Sequence, residues 1–173
     1  LGVLARARAH RIAQATGAAT PNLFRVLGAR IALGSDFSDA DGTPPPPQPQ
    51  GVPGQPAPQA APPPPPKTIL SHQFWQRRFG GDSAIVGTVV RLGEQPFEVI
   101  GVLEPGFELL YPPELNVEPT PDVWTPLTVD FAAGSRINVF LRVVGRLKDG
   151  VTTRQAQQEV DALAVDLRSR FPI

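Results

Sequence analysis

The residues able to do chemistry in this chain are few and scattered. Ser71 stands beside His72, the one place where a hydroxyl and an imidazole are adjacent. A serine nucleophile needs a base to take its proton and an acid to orient that base, and no G-x-S-x-G elbow surrounds Ser71. Its competing use is as the cap of a helix beginning at His72. Carboxylates gather as Asp36, Asp39 and Asp41, and again as Glu114 and Glu118. The stretch Ser35-Asp36-Phe37-Ser38-Asp39-Ala40-Asp41-Gly42 faintly resembles a calcium loop. A proline tract begins where such a loop needs its bidentate glutamate, so a polar turn is the simpler reading. His10 and His72 lie far apart, and there is no cysteine, so thiolate metal sites, disulfides and cysteine nucleophiles are excluded. Gly34-Ser35, Gly80-Gly81 and Gly145 form no phosphate-cradling pattern. Arg77-Arg78 beside Trp75, and Arg6, Arg8 and Arg11, are short basic clusters that read as solvated faces rather than a nucleic-acid patch. No catalytic, cofactor-binding or metal site emerges from the residues themselves.

Composition points the same way. The 173 residues suffice for one domain with a core, or for one domain plus irregular sequence. Sixteen basic and sixteen acidic residues cancel, which removes any global electrostatic drive toward nucleic acid or anionic lipid. No stretch approaches the roughly 18–20 continuous apolar residues that span a membrane. The first residues, LGVLARARAHRIAQ, lack an initiator Met and a signal-peptide apolar region. The chain ends on Phe171-Pro172-Ile173, where proline stops a helix. It reads as one extracted portion of a larger protein.

The elements that would position any site are better defined. Thr20 is expected to cap a short helix, with Pro21 at its first position, Phe24 on its apolar face beside Leu23 and Leu27, and Gly28 as a left-handed stop. Ala18 and Ala19 are expected to end a preceding strand. From 44 to 66 the chain holds thirteen of its 22 prolines, a composition that favours polyproline II or disorder and has little to bury. Thr68-Ile69-Leu70 follows as a short buried strand. Ser71 then caps a helix over 72–79, closed by Gly80-Gly81, with Phe74, Trp75 and Phe79 as core anchors. A hairpin comes next: a strand over 88–92, a turn at Gly93-Glu94-Gln95, and a return over 97–103 containing Gly101. That return strand is apolar on both faces, which predicts a place inside a sheet.

Residues 108–121 read as an exposed loop, and 122–127, containing Trp124, as an extended element. Alternation over 138–147, with Gly145 on one face, predicts a further strand. A turn at Lys148-Asp149-Gly150 leads to a helix whose start, Thr152-Thr153-Arg154-Gln155, fits a capping box. Burying Val160, Leu163, Leu167 and Phe171 would contribute roughly 6–12 kcal/mol gross. A free helix of this length is marginal in water, so docking on a sheet is expected. The fold class expected is α+β, a mixed sheet with packed helices.

These pieces together resemble a known family. TPNLFRVLGARIALGSDF (20–37), ILSHQFWQRRFGGDSAIVGTVVRLGEQPFEVIGVLEPGF (69–107), DVWTPL (122–127) and LRVVGRLKDGVTTRQAQQEVDALAVDL (141–167) are similar, in order and spacing, to the MacB-like periplasmic core domain of bacterial ABC transporter permeases, notably those of acidobacterial type. The likeness covers most of the chain outside the proline tract. It implies a domain at the periplasmic face of the bacterial inner membrane, inserted after a permease's first transmembrane helix. It also implies as partners the permease helices, a separate cytoplasmic ATPase and a periplasmic adaptor or exported substrate, in a dimeric parent. Thr20, Pro21, Phe24, Gly28, Ser71, Trp75, Gly80, Gly81, Gly101, Trp124, Gly145 and Gly150 are the positions expected to act as structural anchors. The expected layout is 1–43 as the first part of the core domain, 44–66 as a disordered insert and 67–173 as its main part.

The chain departs from the family in having Gly34-Ser35 where a Gly-Arg pair is common. It also carries the proline tract where a short polar linker is usual, and it lacks the transmembrane helices. Two rival functions stand beside this one: a secreted hydrolase or accessory domain using Ser71 and His72, and a proline-rich adaptor for SH3-like partners.

Overall fold

The computed structural model describes residues 15–44, 63–111, 114, 117–128 and 142–171. The proline tract between 45 and 62 and residues 138–141 of the expected late strand therefore lie outside the described residues. The chain forms two compact units, Leu1–Val129 and Asp130–Ile173.

The first unit is built on a mixed six-stranded sheet. Its elements are β1 (Thr16–Ala19), α1 (Leu23–Leu27), β2 (Ile31–Gly34), a 3-10 turn (Asp39–Gly42), β3 (Lys67–Leu70), α2 (His72–Phe79), a second 3-10 turn (Ser83–Ile85), β4 (Val89–Leu92), β5 (Gln95–Leu103) and β6 (Val123–Pro126). The strand order is β1-β6-β3-β5-β2, with β4 also on β5. β1 runs parallel to β6 and β3 parallel to β5, while the β2–β5, β3–β6 and β4–β5 pairs are antiparallel. β5 is the hub, as its two apolar faces predict. At nine residues it is long enough for β4 to pair with Gln95–Glu98 and β2 with Gly101–Leu103 along the edge opposite β3. The hairpin turn is Gly93-Glu94 alone, because Gln95 already pairs with Leu92.

Strand periodicity sends neighbouring residues to opposite faces, and the core divides accordingly. Leu70, Val102 and Val123 join Phe74 of α2, Ile85, Leu92 and Val99 in one cluster. Their neighbours Ile69, Leu103 and Trp124 join Phe24 of α1, Phe37 and Ala19 in the other. The sheet is thus covered by α2 on one face and α1 on the other, consistent with an α+β core.

Thr20 does not cap α1. The helix starts later, with Asn22 in the N-cap position; Thr20 contributes its carbonyl to Leu23 N at 3.0 Å and its hydroxyl to Asn22 Oδ1 at 2.7 Å. Pro21, by fixing its own φ, makes a turn before the helix rather than its first residue.

The second unit holds α3 (Thr153–Arg170), preceded by the turn closing Val151 N onto the Lys148 carbonyl at 3.0 Å. The capping box is complete: Gln155 N donates to Thr152 Oγ1 at 3.3 Å, and Thr152 N donates to Gln155 Oε1 at 2.9 Å. Two expectations differ here. Residues 142–147 have no strand assignment, and Val143 is 91% exposed. Alternation marks a segment that can be a strand, not one that is. No residue of α3 is buried, and Val160, Leu163, Leu167 and Phe171 are 41–59% exposed.

Candidate functional site

Ser71 and His72, the adjacent pair with potential for catalysis, are committed elsewhere. Ser71 is buried, and its Oγ accepts the Phe74 amide at 3.2 Å in the N-cap position of α2. A cap of this type contributes about 0.5–2 kcal/mol. The His72 ring meets Trp75 edge-on, with centroids 5.4 Å apart. Among the described residues, no hydrogen bond joins Ser71 to His72, so nothing positions the imidazole to take the serine proton.

α2 closes as firmly as it opens. Gly80 (φ 64°) donates to the Gln76 carbonyl at 3.1 Å, and Gly81 (φ 76°) to the Trp75 carbonyl at 3.5 Å. The Gly80 bond, from the residue after the helix to the carbonyl four back, is the closure of an αL cap, whose left-handed residue favours glycine. Trp75 Nε1 donates to the Asp82 carbonyl at 2.9 Å, fixing the chain after the helix. Arg77 reaches Asp122 Oδ1 at 2.8 Å while lying over the Phe74 ring at 5.6 Å, so its charge is drawn onto the unit's own surface.

The acidic stretch around Asp36 is similarly occupied. Asp41 Oδ2 accepts from Ser38 N at 2.8 Å and from Ser38 Oγ at 2.7 Å, while Asp41 Oδ1 meets Lys67 Nζ at 2.8 Å. Burial pushes the Asp41 pKa up, but the hydrogen bonds from Lys67 and Ser38 and the Lys67 charge outweigh it and hold the carboxyl below its ordinary value. The hydrogen bond to Asp41 in turn raises the Lys67 pKa against a smaller opposing effect of burial. Asp39 pairs with Arg25 at 2.7 Å. Asp36 is driven upward by burial, against the Phe37 amide and the Arg25 charge. Among the described residues no group of His, Cys, Asp or Glu could hold a metal ion. Lys67 and Arg25 were not singled out from sequence. The available signal was that Lys67 is the first charged residue after the proline run.

The other anchors serve packing. Phe24 is 1% exposed and packs edge-on against Trp124 at 5.3 Å and Phe107 at 5.5 Å. Gly28 (φ 75°) ends α1. Trp124 Nε1 is buried and has no hydrogen-bond partner among the described residues; a buried donor left so costs on the order of 1–3 kcal/mol. Gly101 sits where β2 crosses β5: a Cβ there would lie 2.5 Å from the Ser35 carbonyl oxygen. Its partner Gly34 (φ 80°) has no room either, because a Cβ would run into the Ile100 carbonyl. Gly150 (φ 79°) occupies the turn before α3, and Gly145 is exposed with open space around it. The sites of chemical potential in the first unit are therefore parts of its scaffold.

The model of the MacB-like periplasmic core domain matches residues 2–163. The chain belongs to that family. Among solved structures it is similar to the periplasmic region of MacB from Actinobacillus actinomycetemcomitans, at 16% identity and a TM-score of 0.49, over 87% of this chain and 55% of that one. It is also similar to a domain described as a permease protein from Porphyromonas gingivalis, at 16% identity and a TM-score of 0.46, over 88% of this chain and 57% of that one. Neither likeness is close enough to carry an argument beside the family match, and the chain spans little more than half the length of each. No curated protein matches this sequence. Among the described residues no helix is long and apolar enough to cross a membrane.

Proposed function

We propose that this chain is the periplasmic domain of an ABC transporter permease, a non-catalytic part that couples ATP-driven motion to export or to periplasmic partners. Its place is the periplasmic face of the bacterial inner membrane. ATP hydrolysis belongs to a separate nucleotide-binding domain, and the parent works as a dimer whose helices carry the motion outward. A periplasmic adaptor or the exported substrate is the partner met on the outer side. The observation that carries this reading is the family match over 2–163. The geometry supports it: Ser71 caps α2, and Asp39, Asp41 and Arg77 each hold one segment of the scaffold to another. A coupler needs that rigidity, since force passes through packed elements and is lost in loose ones.

The test replaces the domain in the parent permease with a short linker, and separately introduces Ser71→Ala. Loss of export with continuing ATP hydrolysis in the first case, and little change in the second, is the expected pattern. Export that survives removal of the domain, or a hydrolytic activity of the chain that vanishes in Ser71→Ala, would overturn the reading.

A further inference from the structure

The proline tract leaves and rejoins the first unit at one place. Before it stands the 3-10 turn Asp39–Gly42, and after it stands Lys67, the first residue of β3. These two ends, far apart in the chain, meet in the Lys67 Nζ–Asp41 Oδ1 pair at 2.8 Å. The Asp41 side chain is only 12% exposed, and Ser38 holds its other oxygen in place through two hydrogen bonds. The carboxylate is therefore set before Lys67 arrives, which reduces what ordering the pair costs.

Each end is also pinned without reference to the other. Arg25 of α1 holds Asp39 of the same turn at 2.7 Å. Gly42 packs so closely on Pro21 that a Cβ would lie 2.7 Å from the proline Cγ. On the return side, Glu98 N of β5 donates to the Pro66 carbonyl at 2.9 Å. The two stretches of chain that the tract connects are further joined through the sheet and the core. β1 pairs with β6 and β2 with β5, while Phe24 and Phe37 share a cluster with Ile69, Leu103 and Trp124.

We propose that the Asp39–Gly42 turn and Lys67 form a clasp that holds both ends of the proline-rich tract at one spot, so that the covalent continuity of residues 45–62 is dispensable to the fold. The physical reason is that loop closure grows costly only slowly with length, whereas both ends are held by contacts among residues outside 45–62. The domain then behaves as two interlocked pieces, and an insertion or a cut within the tract leaves the sheet as it was. The inference stands on the clasp geometry and is independent of the role in transport.

The test places a specific protease site between Gly51 and Gly54 of the full chain and cleaves it after folding. The two pieces are expected to elute together, with the amides of β5 as protected from exchange as in the uncut chain. Lys67→Gln is expected to raise the dissociation constant of the pieces about two- to fivefold at low ionic strength. Arg170→Gln, whose pair with Asp166 lies on α3, leaves it unchanged. In the unsubstituted cut chain, added salt weakens the association, a reading that does not depend on how any variant folds. Pieces that separate on cleavage would overturn the proposal, as would a Lys67→Gln effect no larger than that of Arg170→Gln or an association indifferent to salt.

Discussion

Helices α2 and α3 are built by the same rules and end in opposite circumstances. α2 has eight residues, opens on Ser71 and closes on Gly80-Gly81, and it buries Phe74 against the sheet. α3 has eighteen residues and the better start, a complete capping box, yet buries none of them. Caps decide where a helix begins and stops because they satisfy the amides and carbonyls its ends leave over. They do not decide what the helix packs on. Most helical stability in proteins comes from an apolar face that finds a partner surface, and α2 has one within its own unit.

The contrast can be sharpened by substitution, read as urea unfolding midpoints. Opening the aromatic cluster by Phe24→Ala is expected to cost the most, about 3–5 kcal/mol. Leu163→Ala, which shortens the exposed stripe of α3, is expected to cost about 0.5 kcal/mol or less. A comparable loss at both positions would mean that α3 is buried in solution. Next comes Gly101→Ala, which forces a methyl onto the Ser35 carbonyl and is expected to cost about 1–3 kcal/mol; Gly145→Ala, in open space, is close to neutral. Ser71→Ala should then remove about 0.5–2 kcal/mol by leaving the Phe74 amide without its acceptor, whereas Thr152→Ala, on the exposed α3, falls at the low end of that range.

The smallest effect is the pH dependence of the Asp41–Lys67 pair. The Asp41 pKa is lowered on folding, so its contribution is complete above the ordinary value of 3.8 and is lost as pH falls through the lower folded value. The Lys67 pKa is raised, so its contribution is complete below the ordinary value of 10.5 and is lost as pH rises through the higher folded value. The stability difference between the chain and its Asp41→Asn variant should therefore be flat across neutral pH and shrink at both extremes. A difference that peaks in acid would contradict the assignment. Asp36, raised by burial, works the other way in acid and is common to both proteins, so it cancels from the difference.

Much of the first unit was legible in its residues because local chemistry and tertiary structure agree there. Ser71 with Gly80-Gly81 marks both ends of α2, and the doubly apolar run through Val99 and Val102 marks β5 as central. Thr20 misled because a good capping side chain next to proline can serve a turn as readily as a helix. Residues 142–147 misled because alternation reports a capacity to form a strand, not the strand itself. The Asp41–Lys67 clasp was hidden because its two residues stand on either side of the proline tract. Charge complementarity over that distance has no periodic signature.

The proposed place of this domain, outside the cytoplasmic membrane as part of a permease, can be measured directly: the chain itself has no cysteine, and any cysteine elsewhere in the parent is first replaced. A single cysteine placed at Val89, which is 56% exposed, in the parent protein is treated with a membrane-impermeant maleimide in intact spheroplasts. Labelling at full rate without lysis is the predicted result. Labelling only after the inner membrane is broken would place the domain on the cytoplasmic side and contradict the account.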